Sequence, residues 1–169
     1  MGPSGRYHCR VPRLSAAGDW VEVTGDPLPT AEVAAWTAMP SCGAVTIFCG
    51  TVRDHSEGRP GVVRLEYDAY VEHVVPRLDA IAESARRRWP EVGRVALLHR
   101  VGTLAVGETS VVVAVSTPHR QEAFAAASWC IDTVKATVPI WKREVWEGGS
   151  DWGLCAHDLV EVDDLAAGN

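Results

Sequence analysis

The sequence predicts an α+β fold, and three observations carry that expectation. Segments with strand patterning outnumber helical ones. Two of those strands are joined by VGTLAVGE, whose glycines suit a hairpin connection, so a mostly antiparallel sheet is expected. The chain of 169 residues shows no internal repeat and no second domain, and is long enough for one sizeable core. The expected limits are a flexible tail over 1–18, a single domain over 19–155 and a flexible acidic tail over 156–169.

Residues 1–18 are polar and rich in Gly, Pro and Ser. Trp20 to Thr24 alternates like a strand, and Gly25-Asp26-Pro27 turns the chain. Thr30 is placed to cap a short helix through Trp36, with Glu32 in the first turn suiting the helix dipole. Val33 stands where a capping box would have Glu or Gln, so that box is incomplete. Pro40 to Gly43 ends the unit.

Gly43 to Gly50, GAVTIFCG, is a nearly continuous apolar run and reads as a buried strand. The following loop, TVRDHSEGRPG, holds Arg53, His55 and Arg59; a long loop between strands often carries function. Val62 to Tyr70 alternates, with Val63, Leu65 and Tyr67 on one face. Glu72 to Trp89 is an amphipathic helix that turns Leu78, Ile81, Ala82 and Ala85 inward. Arg86, Arg87 and Arg88 are expected to form a solvated face. Pro76 fits if regular helical bonding begins near it. Val92 to Arg100 and Thr109 to Ser116 are two more strands.

The stretch STPHRQEAFAAASWCIDTVKATVPIWKREVW, Ser116 to Trp146, organises the rest. Thr117 as N-cap and Pro118 at the first helical position predict a helix start. Ala123, Ala127, Cys130, Ile131 and Val134 recur at helical spacing, and Val138-Pro139 closes the helix. His119 and Arg120 then fall at an N-terminus that favours anions. Lys135 leaves the last turn. Lys142 follows on a strand whose face also holds Ile140, Glu144 and Trp146. The two basic groups are about 24 Å apart along a straight helix, too far for one small pocket made by this helix alone. EGGSDWG then reads as a turn.

Composition excludes several classes. A net charge of −6 argues against general nucleic-acid binding, which wants a basic face. Apolar content of 47% and charged content of 22% are those of a soluble globular protein. The five cysteines (Cys9, Cys42, Cys49, Cys130, Cys155) are scattered, which favours reduced thiols in the cytoplasm over a disulfide framework. No set of His and Cys residues has zinc-ligand spacing. The N-terminal residues lack a secretory apolar core, and the longest apolar run is too short for a membrane span.

Four sites offer chemistry, each with a structural alternative. Cys49 precedes Arg53 in CGTVR, but a thiol phosphatase loop needs five intervening residues, so a buried strand cysteine is the better reading. His99-Arg100 ends a strand, where a structural role is at least as good a reading as catalysis. Ser116 has no GxSxG elbow around it. The Lys135/Lys142 pair is the best candidate, because crowded or desolvated amines can act in proton transfer, and protonated ones bind carboxylate or phosphate.

Taken in order, FCGTVRDHSEG, VRLEYDAY, RRRWP, LLHRVGTLAVGE, STPHRQEAF, and IDTVKATVPIWKRE followed by Trp152 make a specific set. Over roughly Trp20 to Trp152 the chain resembles the catalytic (large) subunit of molybdopterin synthase. The resemblance implies an α/β hammerhead-type fold and a sulfurtransferase of molybdenum cofactor biosynthesis. Such enzymes turn cyclic pyranopterin monophosphate into molybdopterin, taking sulfur from the C-terminal thiocarboxylate of a small ubiquitin-like subunit. It implies a homodimer within a heterotetramer, with the carrier's tail threaded into a pocket.

The family's pocket lysines match Lys135 and Lys142, its loop arginine Arg53, its strand phenylalanine Phe48 and its His-Arg pair His119 and Arg120. On this resemblance Lys135 is catalytic, Lys142 holds the anion and tunes it, and Phe48, Arg53, His119 and Arg120 bind substrate. Ile140 and Trp141 are expected walls for the partner's tail, and no metal or cofactor is expected. A family arginine after the final tryptophan appears here as Ala156, beside His157. The alternative from another class is a non-catalytic subunit that binds the carrier or a pterin, for which two crowded amines serve no purpose.

Overall fold

The computed structural model describes residues 13–56, 59–152 and 162. The departure at Ala156 and His157, Cys9, Cys155 and the Arg59 side chain lie outside what is described.

One four-stranded sheet has the order β1-β6-β8-β2, from β1 (Trp20–Thr24), β6 (Val95–Arg100), β8 (Thr109–Thr117) and β2 (Ala44–Thr51). β1 runs parallel to β6, and the other two pairings are antiparallel. A second sheet has the order β10-β9-β5-β7, all antiparallel, from β5 (Val62–Ala69), β7 (Gly102–Ala105), β9 (Ile140–Trp146) and β10 (Gly149–Trp152). The mixed architecture is the α+β one expected, and the sheets are mostly antiparallel.

The first sheet carries the core. On one face α2 (Val71–Arg88) and α3 (Arg120–Thr137) bury Leu78, Ile81, Cys130 and Val134 against Leu97, Val113 and Val115. Val162 is buried in the same cluster. On the other face α1 (Thr30–Thr37) packs Val33 onto Trp20, Leu98 and Val112. Fully burying each such side chain stabilises by roughly 1.5–3 kcal/mol. The second sheet has a smaller cluster of Val52, Val62, Leu65 and Leu104.

Several expectations change. The apolar run at 43–50 is an edge strand, paired only to β8, and leaves Val45, Ile47 and Phe48 exposed; β8 is the buried central strand. The glycine-bearing link between β6 and β8 is not a simple hairpin. Gly102 and Gly107 adopt φ of 91° and 88°, which glycine tolerates and other residues rarely do. They let the chain leave the first sheet, add β7 to the second and return. The loop after β2 contains a short ribbon, β3 (His55–Ser56) with β4 (Arg59–Pro60). The turn after Trp146 is brief, because Gly149 to Trp152 pairs back onto β9.

α3 begins at Arg120, with an extended His119 as N-cap and no side-chain capping bond. Thr117 belongs to β8, and its hydroxyl donates to the His119 carbonyl at 2.6 Å. α2 begins five residues before Pro76, whose missing N–H removes a single bond in an exposed turn. Arg86 is not solvated like a free surface arginine, since its Nε donates to buried Asp19 at 2.8 Å. Arg88 lies over the Trp89 and Trp129 rings. A bulge between Val62 and Arg64 shifts β5, so Val62 rather than Val63 turns inward beside Leu65 and Tyr67.

Candidate active site

The two sheets and the C-terminal half of α3 enclose a cleft of about 700 Å³. β2 contributes Phe48 to Thr51, the loop Arg53, and α3 Ile131, Val134 and Lys135. β9 contributes Ile140, Lys142 and Glu144, because alternate residues of a strand share a face. A Cβ on Gly50 would meet the Val111 Cγ1 at 2.6 Å, so only glycine allows β2 so close to β8 where it bends into the arginine loop.

Lys135 is exposed at the helix end, whereas Lys142 is half-buried. Lys142 Nζ lies 3.2 Å from Glu144 Oε1, and the Ser56 hydroxyl donates to Glu144 Oε2 at 2.6 Å. The side chains of that ion pair are 30% and 6% exposed, so the carboxylate is held inside the wall. Tyr67 sits opposite Lys142 in the β5–β9 register, on the same sheet face. Its ring meets His99 edge to face at 5.2 Å. Burial pushes the His99 imidazole down to about 4, so it is neutral near pH 7. Cys49 is exposed rather than buried as expected, yet partial desolvation still pushes its thiol up.

The structure therefore brings Phe48, Arg53, Lys135, Ile140 and Lys142 to one cleft. It does not bring His119, Arg120 or Trp141 there. His119 and Arg120 stand at the far end of an 18-residue helix. Trp141 neighbours Ile140 on an extended strand, points to the opposite face and is exposed. Sequence reasoning missed Ser56, Tyr67 and Glu144 as wall residues, and left His99 open between structure and catalysis. The strand alternation that aligns Glu144 with Lys142 was the available signal. No cluster able to hold a metal ion occurs among the described residues.

Chemically, this is a cleft with three cationic side chains, one carboxylate clamped between a lysine and a hydroxyl, and aromatic walls. It can hold an extended anion and move protons beside it.

A family model described as MoaE protein matches residues 23–137, and the chain belongs to that family. A curated relative named molybdopterin synthase catalytic subunit, from Taeniopygia guttata, is 40% identical over 140 residues, covering 83% of this chain and 90% of that protein. The crystal structure of molybdopterin synthase from Staphylococcus aureus has a TM-score of 0.72 at 36% identity, over 78% of this chain and 94% of that one. A Helicobacter pylori structure, described as a complex of subunits 1 and 2 of molybdopterin-converting factor, shares the fold at 20% identity and a TM-score of 0.67, over 82% and 94%. This family is that of the molybdopterin synthase catalytic subunits, and the chain is an enzyme of molybdenum cofactor biosynthesis.

Proposed function

We propose that the chain transfers sulfur from the C-terminal thiocarboxylate of a small ubiquitin-like subunit to cyclic pyranopterin monophosphate, building the dithiolene of molybdopterin. The observation that carries this reading is the meeting of Lys135, Lys142 and Arg53 in one cleft with apolar walls, in a chain whose net charge is −6. Such a local basic site suits a phosphate and a terminal carboxylate or thiocarboxylate better than a diffuse acidic surface does.

Lys135 engages the thiocarboxylate and assists proton transfer as sulfur leaves. Lys142, paired with Glu144, holds the anion and tunes Lys135. Arg53 binds the phosphate, and Phe48 offers a face to the pterin. Ile140 lines the path of the carrier's tail. Trp141, on the outer face, meets the carrier outside the cleft.

His119 and Arg120 bind substrate in an extended site completed by a neighbouring copy, since they do not line the cleft of their own chain. The exposed Val45, Ile47 and Phe124 support a homodimer, and one small subunit on each protomer makes the heterotetramer. No described helix is long and apolar enough to cross a membrane. The scattered cysteines of the sequence suit a reducing compartment, and on that ground we assign the enzyme to the cytoplasm.

The test is to mix the purified chain with thiocarboxylated carrier and the pterin, and to follow dithiolene formation. Consumption of the pterin supports the reading. Binding of both without turnover moves the chain to the class of non-catalytic binding subunits.

A further inference from the structure

His99 has no part in the sulfur-transfer scheme, yet it lies in the floor of the same cleft. Only 8% of the residue is exposed. Its Nδ1 is 2.8 Å from the Arg100 carbonyl oxygen, which can only accept, so Nδ1 carries the hydrogen. The edge-to-face contact with Tyr67 fixes the ring plane. Burial keeps the imidazole neutral, which leaves the lone pair on Nε2. Nε2 has no protein partner among the described residues.

Nε2 is not one of the buried, unpaired side-chain atoms of the described residues, so it opens onto the cleft, and a ligand that covers it must supply a hydrogen or leave it stranded. The groups around it differ in kind. Lys135, Lys142 and Arg53 only donate, and Glu144 already accepts from Lys142 and Ser56. Cations hold any phosphate but cannot tell one ring from another. A second carboxylate here would cancel their charge, and an imidazolium would forbid a donor. A neutral acceptor adds direction without adding charge.

We infer that His99 is a specificity-determining residue whose Nε2 accepts a hydrogen bond from a ring N–H or hydroxyl of the heterocyclic substrate. The inference rests on the cleft being the pterin site. It gives the cleft a division of labour: the cations retain the phosphate, and His99 reads the ring. Sites built to pair with a donor reject analogues that lack it, because the buried acceptor is then stranded.

Nitrogen-15 NMR of imidazole-labelled protein tests this directly. Free protein should show Nε2 as an unprotonated nitrogen, and adding cyclic pyranopterin monophosphate should move its resonance towards the protonated side. Sulfate, which occupies the cations but carries no hydrogen, should leave it in place. In titrations, His99→Phe should weaken pterin binding roughly 3- to 10-fold, and His99→Gln, which keeps an acceptor, should recover part of that. An unmoved Nε2 at pterin saturation, or unchanged affinity in a folded His99→Phe protein, overturns the assignment and leaves the cleft reading standing. Failure of the wild-type protein to bind the pterin at all overturns both.

Discussion

Asp19 and Glu144 are two buried carboxylates, each beside a cation, one just before β1 and the other on β9. Asp19 accepts from Arg86 Nε at 2.8 Å and from the Val95 amide at 3.1 Å. Arg86 also donates to the Gly93 carbonyl at 3.0 Å, so the pair closes on the main chain of the core sheet. Glu144 is gripped by Lys142 and Ser56, but its lysine opens onto the cleft. The contrast separates two uses of the same chemistry. A charge satisfied on all sides by the fold locks strands and a helix together. A charge whose partner faces a cavity keeps that partner positioned for a ligand.

Breaking the closed pair should have the largest effect. Asp19→Ala leaves Arg86 partly buried without its carboxylate and strands the Val95 amide, so unfolding free energy should fall by about 3–5 kcal/mol. Thermal or denaturant unfolding measures it. A loss below about 1 kcal/mol would mean that Asp19 is no more than a surface charge, against its 1% exposure.

Acid tests the cleft side. His99 takes a proton near pH 6.5 when unfolded but only at about 4 in the fold, because burial disfavours the cation. Between those values the unfolded state binds more protons, so falling pH draws the protein towards unfolding. The native state should give up roughly 3 kcal/mol between pH 6.5 and 4, and none from this group above pH 6.5. His99→Gln should flatten that part of the stability profile. An equally steep profile in the variant would assign the acid sensitivity elsewhere.

Lys135→Ala reverses the pattern of Asp19. The residue is exposed at a helix end, so melting should be unchanged, while dithiolene formation should fall about 100-fold or more. Near-normal turnover in the folded variant would remove Lys135 from the chemistry. Arg53→Ala should act on binding instead, weakening pterin affinity by roughly 1.5–3 kcal/mol if the phosphate contact is charge-assisted. Calorimetric titration separates the two, and equal affinity in variant and wild type would move the phosphate away from Arg53.

The same contrast explains what could be read in advance. Local signals placed Trp20 to Thr24 on the observed residues, and gave the apolar stripe of α3 and the lysines on either side of Val138-Pro139. The meeting of those lysines with Arg53 depends on sheet register, which is non-local. Register also hid Tyr67, because nothing nearby in sequence says that it lies opposite Lys142, whereas strand alternation already set Glu144 on the face of Lys142. Burial was misjudged where composition misleads. The apolar 43–50 run lies at an edge, and Arg86 turns inward because its partner is 67 residues away. Trp141 was grouped with Ile140 by proximity in sequence, although a strand sends neighbours to opposite faces.

The smallest expected effect falls on Cys49, which stands in the cleft wall of a sulfur-transferring enzyme and so invites a role as sulfur carrier. Three features argue against it. Partial desolvation pushes its thiol up, which keeps the nucleophilic thiolate scarce near neutral pH. The spacing to Arg53 is too short to fold an anion-binding loop around the sulfur. Its strand pairs Cys49 with Val112 in regular register, so the backbone there does not cup a reacting group. Cys49→Ser changes one atom of similar size at an exposed edge. It should therefore leave stability within about 0.5 kcal/mol and turnover close to that of the unaltered chain. A folded Cys49→Ser protein that had lost most of its dithiolene formation would show sulfur passing through this residue, and the two lysines would then be its activators rather than the primary machinery.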